Sequence, residues 1–189
     1  MSPVDLHTTR LLLDQPTAGD IDAITAFCQD PLFERYLTTP WPYDRSNAEG
    51  FVTQVVPAGW RAEREFTWAV RAEGGGPLLG MMSLRSEHAD VGFWMGAPHR
   101  GTGYTSEALE AIVHWAFEAR SLPRVLWECY VGNLASAGTA RRAGFAYMGT
   151  GTGLVIGRDG ERRTCWQGEI TPQTDAALAR ASWPPETRA

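Results

Sequence analysis

The sequence predicts an α/β fold with about seven strands. β-rich runs alternate with helix-periodic segments along nearly the whole chain, and two pairs of runs are joined by hairpin-type turns. A strand-like run from Asp90 to Gly96 also feeds the stretch Arg100-Gly101-Thr102-Gly103-Tyr104-Thr105, and an amphipathic segment, Ser106 to Arg120, leaves it. With 189 residues, 43% of them hydrophobic, the chain can bury one substantial core, so the expected organisation is one domain over residues 1–170 and a tail over 171–189.

Arg10-Leu11-Leu12-Leu13 reads as the first strand. Thr17-x-x-Asp20 has the pattern of a capping box before a helix with Ile21, Ile24 and Phe27 on one face, which ends near Asp30-Pro31. Pro31 to Leu37 adds a helical turn, and Thr39-Pro40-Trp41-Pro42-Tyr43 is a rigid loop. Ser46-x-x-Glu49 is expected to cap a second helix that Pro57 and Gly59 stop. Phe66 to Val70 is a strand, Gly74-Gly75-Gly76-Pro77 a turn, and Leu78 to Leu84 the next strand, followed after Ser86-Glu87-His88 by Asp90 to Met95. Ala108, Leu109, Ile112, Val113, Ala116 and Phe117 then recur at helical spacing. Val125 to Val131 is a strand, and Ala135 to Ala143 a short helix closed by Gly144. Phe145 to Ile156 and Arg162 to Ile170 form a hairpin around Arg158-Asp159-Gly160. From Thr171 on, with Trp183-Pro184-Pro185, the chain reads as a loose tail or an interface arm.

A glycine-rich loop that opens a helix leaves backbone N–H groups unpaired. With the positive end of the helix dipole and the Arg100 guanidinium, it makes a site for a phosphate or diphosphate. Two familiar phosphate loops do not fit. A Walker A loop needs a lysine, and none occurs in this stretch. A dinucleotide fingerprint needs a third glycine, where Ser106 stands, and a carboxylate about 20 residues on, where Ser121, Leu122 and Pro123 offer none.

Composition excludes further classes. A formal charge of −5 argues against a protein that tracks nucleic-acid phosphates and suits a cationic acceptor. Met1 to Arg10 has no apolar leader core, and no apolar run approaches the roughly 18 residues of a membrane span, so a cytoplasmic protein is expected, without membrane contact. Cys28, Cys129 and Cys165, odd in number and widely spaced, suggest neither disulfides nor a metal site and read as small buried hydrophobes.

What remains, Arg-x-x-Gly-x-(small), resembles the acyl-coenzyme A diphosphate loop of the GNAT superfamily of N-acetyltransferases, and the element order matches that superfamily along nearly the whole chain. Thr9-Arg10-Leu11-Leu12-Leu13, Val91-Gly92-Phe93-Trp94-Met95, and Asn133-Leu134-Ala135-Ser136 with Ala143-Gly144-Phe145 resemble its ribosomal-protein N-acetyltransferase (Rim-type) branch more specifically. The resemblance implies a mixed, mostly antiparallel twisted sheet with helices on both faces, splayed between the fourth and fifth strands, Asp90 to Met95 and Val125 to Val131. Acetyl-CoA is the implied cosubstrate and no metal is implied. Arg100, Gly101, Thr102, Gly103, Tyr104 and Thr105 would hold its diphosphate, the backbone of Phe93 and Met95 its pantetheine arm, and Asn133 the pantetheine amides. Thr105 stands where the family usually has Gly or Ala. It caps the helix, donates its hydroxyl to phosphate or crowds the loop. Glu107 complements the helix N-terminus.

The chemistry needs a neutral amine, a polarised thioester and a proton for the departing thiolate. Asp90 stands where the resemblance suggests an acidic residue able to take the amine proton; a solvated strand-end carboxylate is the alternative, and His88 is a neighbouring candidate. Many GNAT enzymes use a tyrosine as acid at the position that is Ala140 here, which leaves Ser136, near the coenzyme sulfur in Rim-type enzymes, either as acid or as a helix cap. Tyr147 is a fallback. Trp41, Tyr43 and Trp166 are candidate walls of the acceptor pocket. The expected activity is acetyl transfer by direct attack in a ternary complex onto a primary amine, at a protein N-terminus or on a small molecule. The alternatives are a noncatalytic acyl-CoA sensor and a nucleotide-binding regulator. The resemblance also admits a homodimer, paired through sheet edges or terminal segments.

Overall fold

The computed structural model describes residues 1–187. Its frame is one eight-stranded sheet in the order β1-β2-β3-β4-β5-β6-β8-β7. The strands are β1 (Leu6–His7), β2 (Leu11–Asp14), β3 (Glu65–Ala72), β4 (Gly80–Arg85), β5 (Asp90–Met95), β6 (Val125–Tyr130), β7 (Ala146–Ile156) and β8 (Arg162–Ile170). All neighbours are antiparallel except β5 and β6, which run parallel across the helix that connects them. The strand beyond the expected seven is β1, two residues long and paired with Leu12 and Leu13. It is too short to show a period in sequence.

The helices are α1 (Ile21–Cys28), α2 (Pro31–Tyr36), α3 (Arg45–Gly50), α4 (Val56–Ala62), α5 (Tyr104–Glu118), α6 (Leu134–Arg142) and α7 (Ala176–Ala181). They cover both faces. Helix α5 buries Ala108, Leu109, Ile112, Val113 and Ala116 of the stripe its periodicity predicted, while Phe117 is half-buried against the same core. Around it Trp60, Phe66, Trp68 and Trp115 pack edge to face, with centroids 5.0 Å apart for Trp60 and Phe66 and 5.2 Å for Trp68 and Trp115. Two of the indole N–H groups have carbonyl partners: Trp60 donates to Thr67 (3.0 Å) and Trp68 to Val4 (2.8 Å). A second core lies on the opposite face, where Ile21, Ile24, Cys28, Phe33 and Tyr43 meet Ala69 and Met81.

Two expectations about helix α3 and its continuation need correction. Helix α3 is capped by Asp44, not Ser46: the Asp44 carboxylate accepts from Asn47 N–H (3.0 Å) while Asn47 Oδ1 accepts from Asp44 N–H (3.0 Å). Nor do Pro57 and Gly59 stop the helix. A π-helical turn, Phe51–Val55, widens the coil just before α4, and Pro57 falls in the first turn of α4 within the continuous coil. Gly59 serves packing, since a Cβ there would come within 2.6 Å of the Glu65 carbonyl oxygen.

From Thr171 to Thr187 the chain is not a loose tail. Asp175 caps α7 through the N–H groups of Ala177 and Leu178. Trp183 then enters the main core, 1% exposed, donates to the Phe145 carbonyl at 2.7 Å and packs its ring against Trp127 and Tyr147.

Candidate active site

Strands β5 and β6 pair only through Asp90 with Leu126 and Val91 with Trp127. Beyond those pairs β5 stays with β4 and β6 with β8, so a gap opens toward the C-terminal ends of both strands. Strand alternation shows which groups face it. The Ala89 carbonyl points toward β6, accepting from Leu126 N–H, whereas Gly96 N–H points to β4, donating to the Leu79 carbonyl (each 2.8 Å). The period of two therefore turns the N–H and C=O of Phe93 and Met95 into the gap and those of Gly92 and Trp94 toward β4. Met95 C=O is taken by Arg100 Nε at 3.0 Å. What is left is a strand edge inside the protein, able to pair with an extended ligand.

The glycine loop crosses the mouth of this gap. Gly101 and Gly103 have φ of +78° and +82°, and Gly103 is the N-cap of α5. A Cβ on Gly101 would meet nothing within 4 Å, so backbone conformation, not crowding, calls for glycine there. Helix α5 has no side-chain cap, and its first bond runs from Glu107 N–H to the Gly103 carbonyl (3.2 Å). Among the described residues the amides of Gly101, Thr102, Gly103, Thr105 and Ser106 meet no acceptor. They form a cluster of donors at the positive end of a helix of 15 residues.

Arg100 does not extend over those amides. Its guanidinium pairs with Asp30 at 2.8 Å, and Asp30 in turn caps α2 by accepting from Leu32 N–H (2.9 Å). The Leu32 N–H, with a smaller contribution from Arg100, holds the Asp30 carboxyl below its usual value against the opposing effect of burial. The cation beside the loop is Arg10. It donates to the Thr102 carbonyl (3.1 Å), lies 4.8 Å over the Tyr104 ring and pairs with Glu107 at 2.6 Å. Glu107 thereby ties α5 to the start of β2, and Thr105 caps nothing.

On the β6 side, Asn133 is the N-cap of α6, its side chain accepting from Ser136 N–H at 3.2 Å. Ser136 is thus the capped residue, and its hydroxyl is not needed as a cap. Trp127 Nε1 donates to Ser136 Oγ at 3.1 Å, so the oxygen accepts there and the hydroxyl can act as a donor, with the Cys129 thiol within hydrogen-bonding reach. Cys129 lies alongside, its thiol pushed up to about 12 by burial. Ala140 is fully buried. Tyr147 Oη is bonded to Thr150 and its ring packs on Trp183.

On the opposite face a cavity of about 490 Å³ reaches β5, lined among others by Tyr43, Phe51, Glu65, Arg85, Phe93 and Trp94. Phe93 belongs both to this cavity and, through its backbone, to the gap. Of the three aromatic walls expected, only Tyr43 lines the cavity. Trp41 packs against the second core, and Trp166 is 6% exposed within the main core, where β8 crosses β6. Asp90 is fully buried and held by Arg85, whose Nε lies 3.0 Å from Oδ2 and whose Nη2 contacts the same oxygen. The carboxylate on the cavity wall is Glu65. His88 stays in its turn, 3.8 Å from Glu87.

Sequence reasoning missed Glu65, Arg85 and Arg158. Arg158, at the tip of the β7–β8 hairpin, donates to the carbonyls of Leu37 (2.8 Å) and Thr39 (2.9 Å) and also contacts that of Glu34. It pins the hairpin over the C-terminal end of α2 and the segment that walls the cavity. No local pattern marks a contact across 119 residues. Among the described residues no cluster of three or more His, Cys, Asp or Glu could hold a metal, and no helix is long and apolar enough to cross a membrane.

A splayed β5–β6 pair with a donor-rich loop between β5 and α5 defines a class, and comparison with known proteins gives the same one. The model of the acetyltransferase (GNAT) domain matches residues 10–146. The chain belongs to the GNAT family of N-acetyltransferases. It is 32% identical over 77 residues to the ribosomal-protein-serine acetyltransferase of Escherichia coli K12, a match spanning 38% of this chain and 43% of that protein, less than half its length. It is 27% identical over 159 residues to the N-acetyltransferase YoaA of Bacillus subtilis, itself uncharacterised, covering 79% and 86% of the two chains. Among solved structures, a Vibrio cholerae protein assigned provisionally as a ribosomal-protein-serine acetyltransferase superposes with a TM-score of 0.79 at 24% identity, covering 91% of this chain and all of that one. RimL, the ribosomal L7/L12 alpha-N-protein acetyltransferase, in complex with coenzyme A, superposes at 0.75 and 17% identity over 91% of this chain and all of that chain. At these identities the structures speak for the fold.

Proposed function

We propose that this protein transfers the acetyl group of acetyl-CoA to a primary amine by direct attack in a ternary complex. One observation carries the reading: the free amides at the α5 N-terminus and the unpaired Phe93–Met95 edge lie on one path, and that path meets the cavity at Phe93. The diphosphate is placed on the loop amides and the pantetheine arm along β5, like a missing strand. RimL and the microcin C7 self-immunity acetyltransferase MccE have been solved with coenzyme A and with acetyl-CoA and AMP, respectively, which supports the choice of donor.

In this reading the amine enters from the cavity and attacks the thioester carbonyl. Negative charge develops on the carbonyl oxygen, and a backbone N–H of β5 aimed there is worth roughly 2.7 to 4 kcal/mol, as for other oxyanion donors. The Ser136 hydroxyl, its oxygen fixed by Trp127, gives its proton to the departing thiolate. Asp90, committed to Arg85, positions that guanidinium, and Glu65 is the carboxylate open to the amine. An α-amine is the acceptor that asks least of such a base. Neutralising it at pH 7 costs about 1 kcal/mol, against roughly 4.6 kcal/mol for a lysine amine. A protein N-terminus is therefore the favoured acceptor, in keeping with the name of the Escherichia coli relative.

The test is thiol release from acetyl-CoA across a panel of N-terminal peptides, polyamines and amino acids. Turnover with peptides bearing a free α-amine, and loss of it when that amine is blocked, is the expected result. Tight coenzyme binding without turnover on any amine would overturn the reading. Glu65→Gln is expected to lower kcat/KM by about 10²-fold, within the range for general bases; an unchanged kcat/KM would remove Glu65 from proton transfer.

A further inference from the structure

The C-terminal end of α6 and helix α7 border an open hollow of about 360 Å³, lined by Arg141, Arg142 and Arg180. This concentration of positive charge stands on a chain of net charge −5. Among the described residues none of the three guanidiniums pairs with a carboxylate. Glu110, the acid facing this corner, feels the charge of Arg180 without forming an ion pair with it. Arg180 Nη2 donates to the Arg142 carbonyl (3.3 Å), which holds α7 against α6. Arg141 Nε is buried and has no hydrogen-bond partner. Like charges gathered in this way repel, and a buried guanidinium N–H without an acceptor is costly, so the arrangement asks for an anion.

The position of the cluster says which anion. Arg142 Nε donates to Ser106 Oγ at 3.2 Å, and Ser106 lies in the first turn of α5, where its own amide is one of the free donors of the glycine loop. Arg142 thus stands beside the first turn of α5, next to the diphosphate site, and Arg180 is joined to it through its carbonyl. Coenzyme A carries a second anionic group in the matching place. Its ribose 3′-phosphate is joined to the diphosphate only through O5′, C5′, C4′, C3′ and O3′, on the opposite side from the pantetheine arm. A phosphate monoester offers three oxygens, and planar guanidiniums recognise such a group by paired hydrogen bonds.

We propose that Arg141, Arg142 and Arg180 form the subsite for the ribose 3′-phosphate of the donor, an inference that rests on the acetyl-CoA reading above. The subsite makes the enzyme selective for coenzyme A over its 3′-dephospho form, and it sets the adenosine end of the donor against α6 and α7.

Calorimetric titration of the full chain with coenzyme A and with 3′-dephospho-coenzyme A tests this. The wild-type protein is expected to bind coenzyme A about 10-fold or more tightly than the dephospho form, the scale of charge-assisted hydrogen bonds to one phosphate. Arg180→Ala, at an exposed position on α7, is expected to narrow that ratio. Arg142→Ala combined with Arg180→Ala is expected to erase it, with affinity for the dephospho form held within about twofold. Equal binding of the two ligands by the wild-type protein would overturn the subsite while leaving the donor reading intact. A double variant weakened equally toward both ligands would also overturn it, assigning the arginines to the diphosphate or to the fold. Binding of neither ligand by the wild-type protein would overturn the donor reading and the subsite together.

Discussion

Gly103 holds φ of +82° at the N-cap of α5, a conformation that costs an L-residue roughly 1–2 kcal/mol. Gly103→Val strains the turn and sets a branched side chain among the free amides. Coenzyme A affinity is expected to fall at least about 10-fold while the melting temperature drops by only a few degrees; unchanged affinity would detach the loop from the donor. Ser136 makes a sharper test, because Asn133 performs the capping its position once allowed. Ser136→Ala removes a hydroxyl held by Trp127 and is expected to lower kcat by about 10²-fold, within the range for general acids, with little change in coenzyme affinity. Full activity would confine Ser136 to receiving the Trp127 N–H.

At the scale of elements, a buried ion network couples β2, β3 and the turn before α1. Arg71 Nε donates to both oxygens of Asp14 (2.8 and 2.9 Å), while Nη1 and Nη2 donate to those of Asp20 (2.8 and 2.7 Å). Burial raises both carboxyls, and the balance differs. Asp20, which also accepts from Thr17 N–H, ends below its ordinary value, whereas Asp14 ends above it. Asp20 therefore contributes stability that is present above pH 3.8 and lost as pH falls through its lowered folded value. Asp14 acts in the opposite sense: its contribution is present below pH 3.8 and lost as pH rises through its raised value. Arg71→Met strands both carboxylates and is expected to cost about 3–5 kcal/mol at neutral pH. With the cation gone, burial, the largest influence on both carboxyls, favours their protonated forms, so the deficit should narrow as pH falls. Urea melts at stepped pH measure it, and a deficit independent of pH would mean that packing alone is lost.

At the scale of the molecule, the C-terminal segment completes the core on which the site stands. Trp183 packs 5.3 Å from Trp127, the same tryptophan whose other edge holds Ser136. Trp183→Ala is expected to cost about 3–5 kcal/mol, and to lower kcat more than KM by loosening Trp127. Urea unfolding and steady-state kinetics together check this. A stability loss with kinetics unchanged would separate the tail from the site.

The order of elements, the stripe of α5, the capping box at Thr17 and the glycine loop were legible in sequence because each depends on neighbours within a turn or two of chain. Capping of α3 went astray by two residues because Asp44 and Ser46 are both good caps and only the entry of the chain chooses between them. Partnerships across the fold could not be read. Arg100 goes to Asp30, Asp90 to Arg85, Arg158 to the end of α2 and Trp166 to the core because the sheet brings together residues far apart in sequence, and no short-range pattern records such meetings. Sequence alone determined the kind of fold and the loop that marks it. The tertiary structure decided which charges are spent on one another and which donors stay free, since burial and distance, not residue type, fix whether a polar group already has its partner.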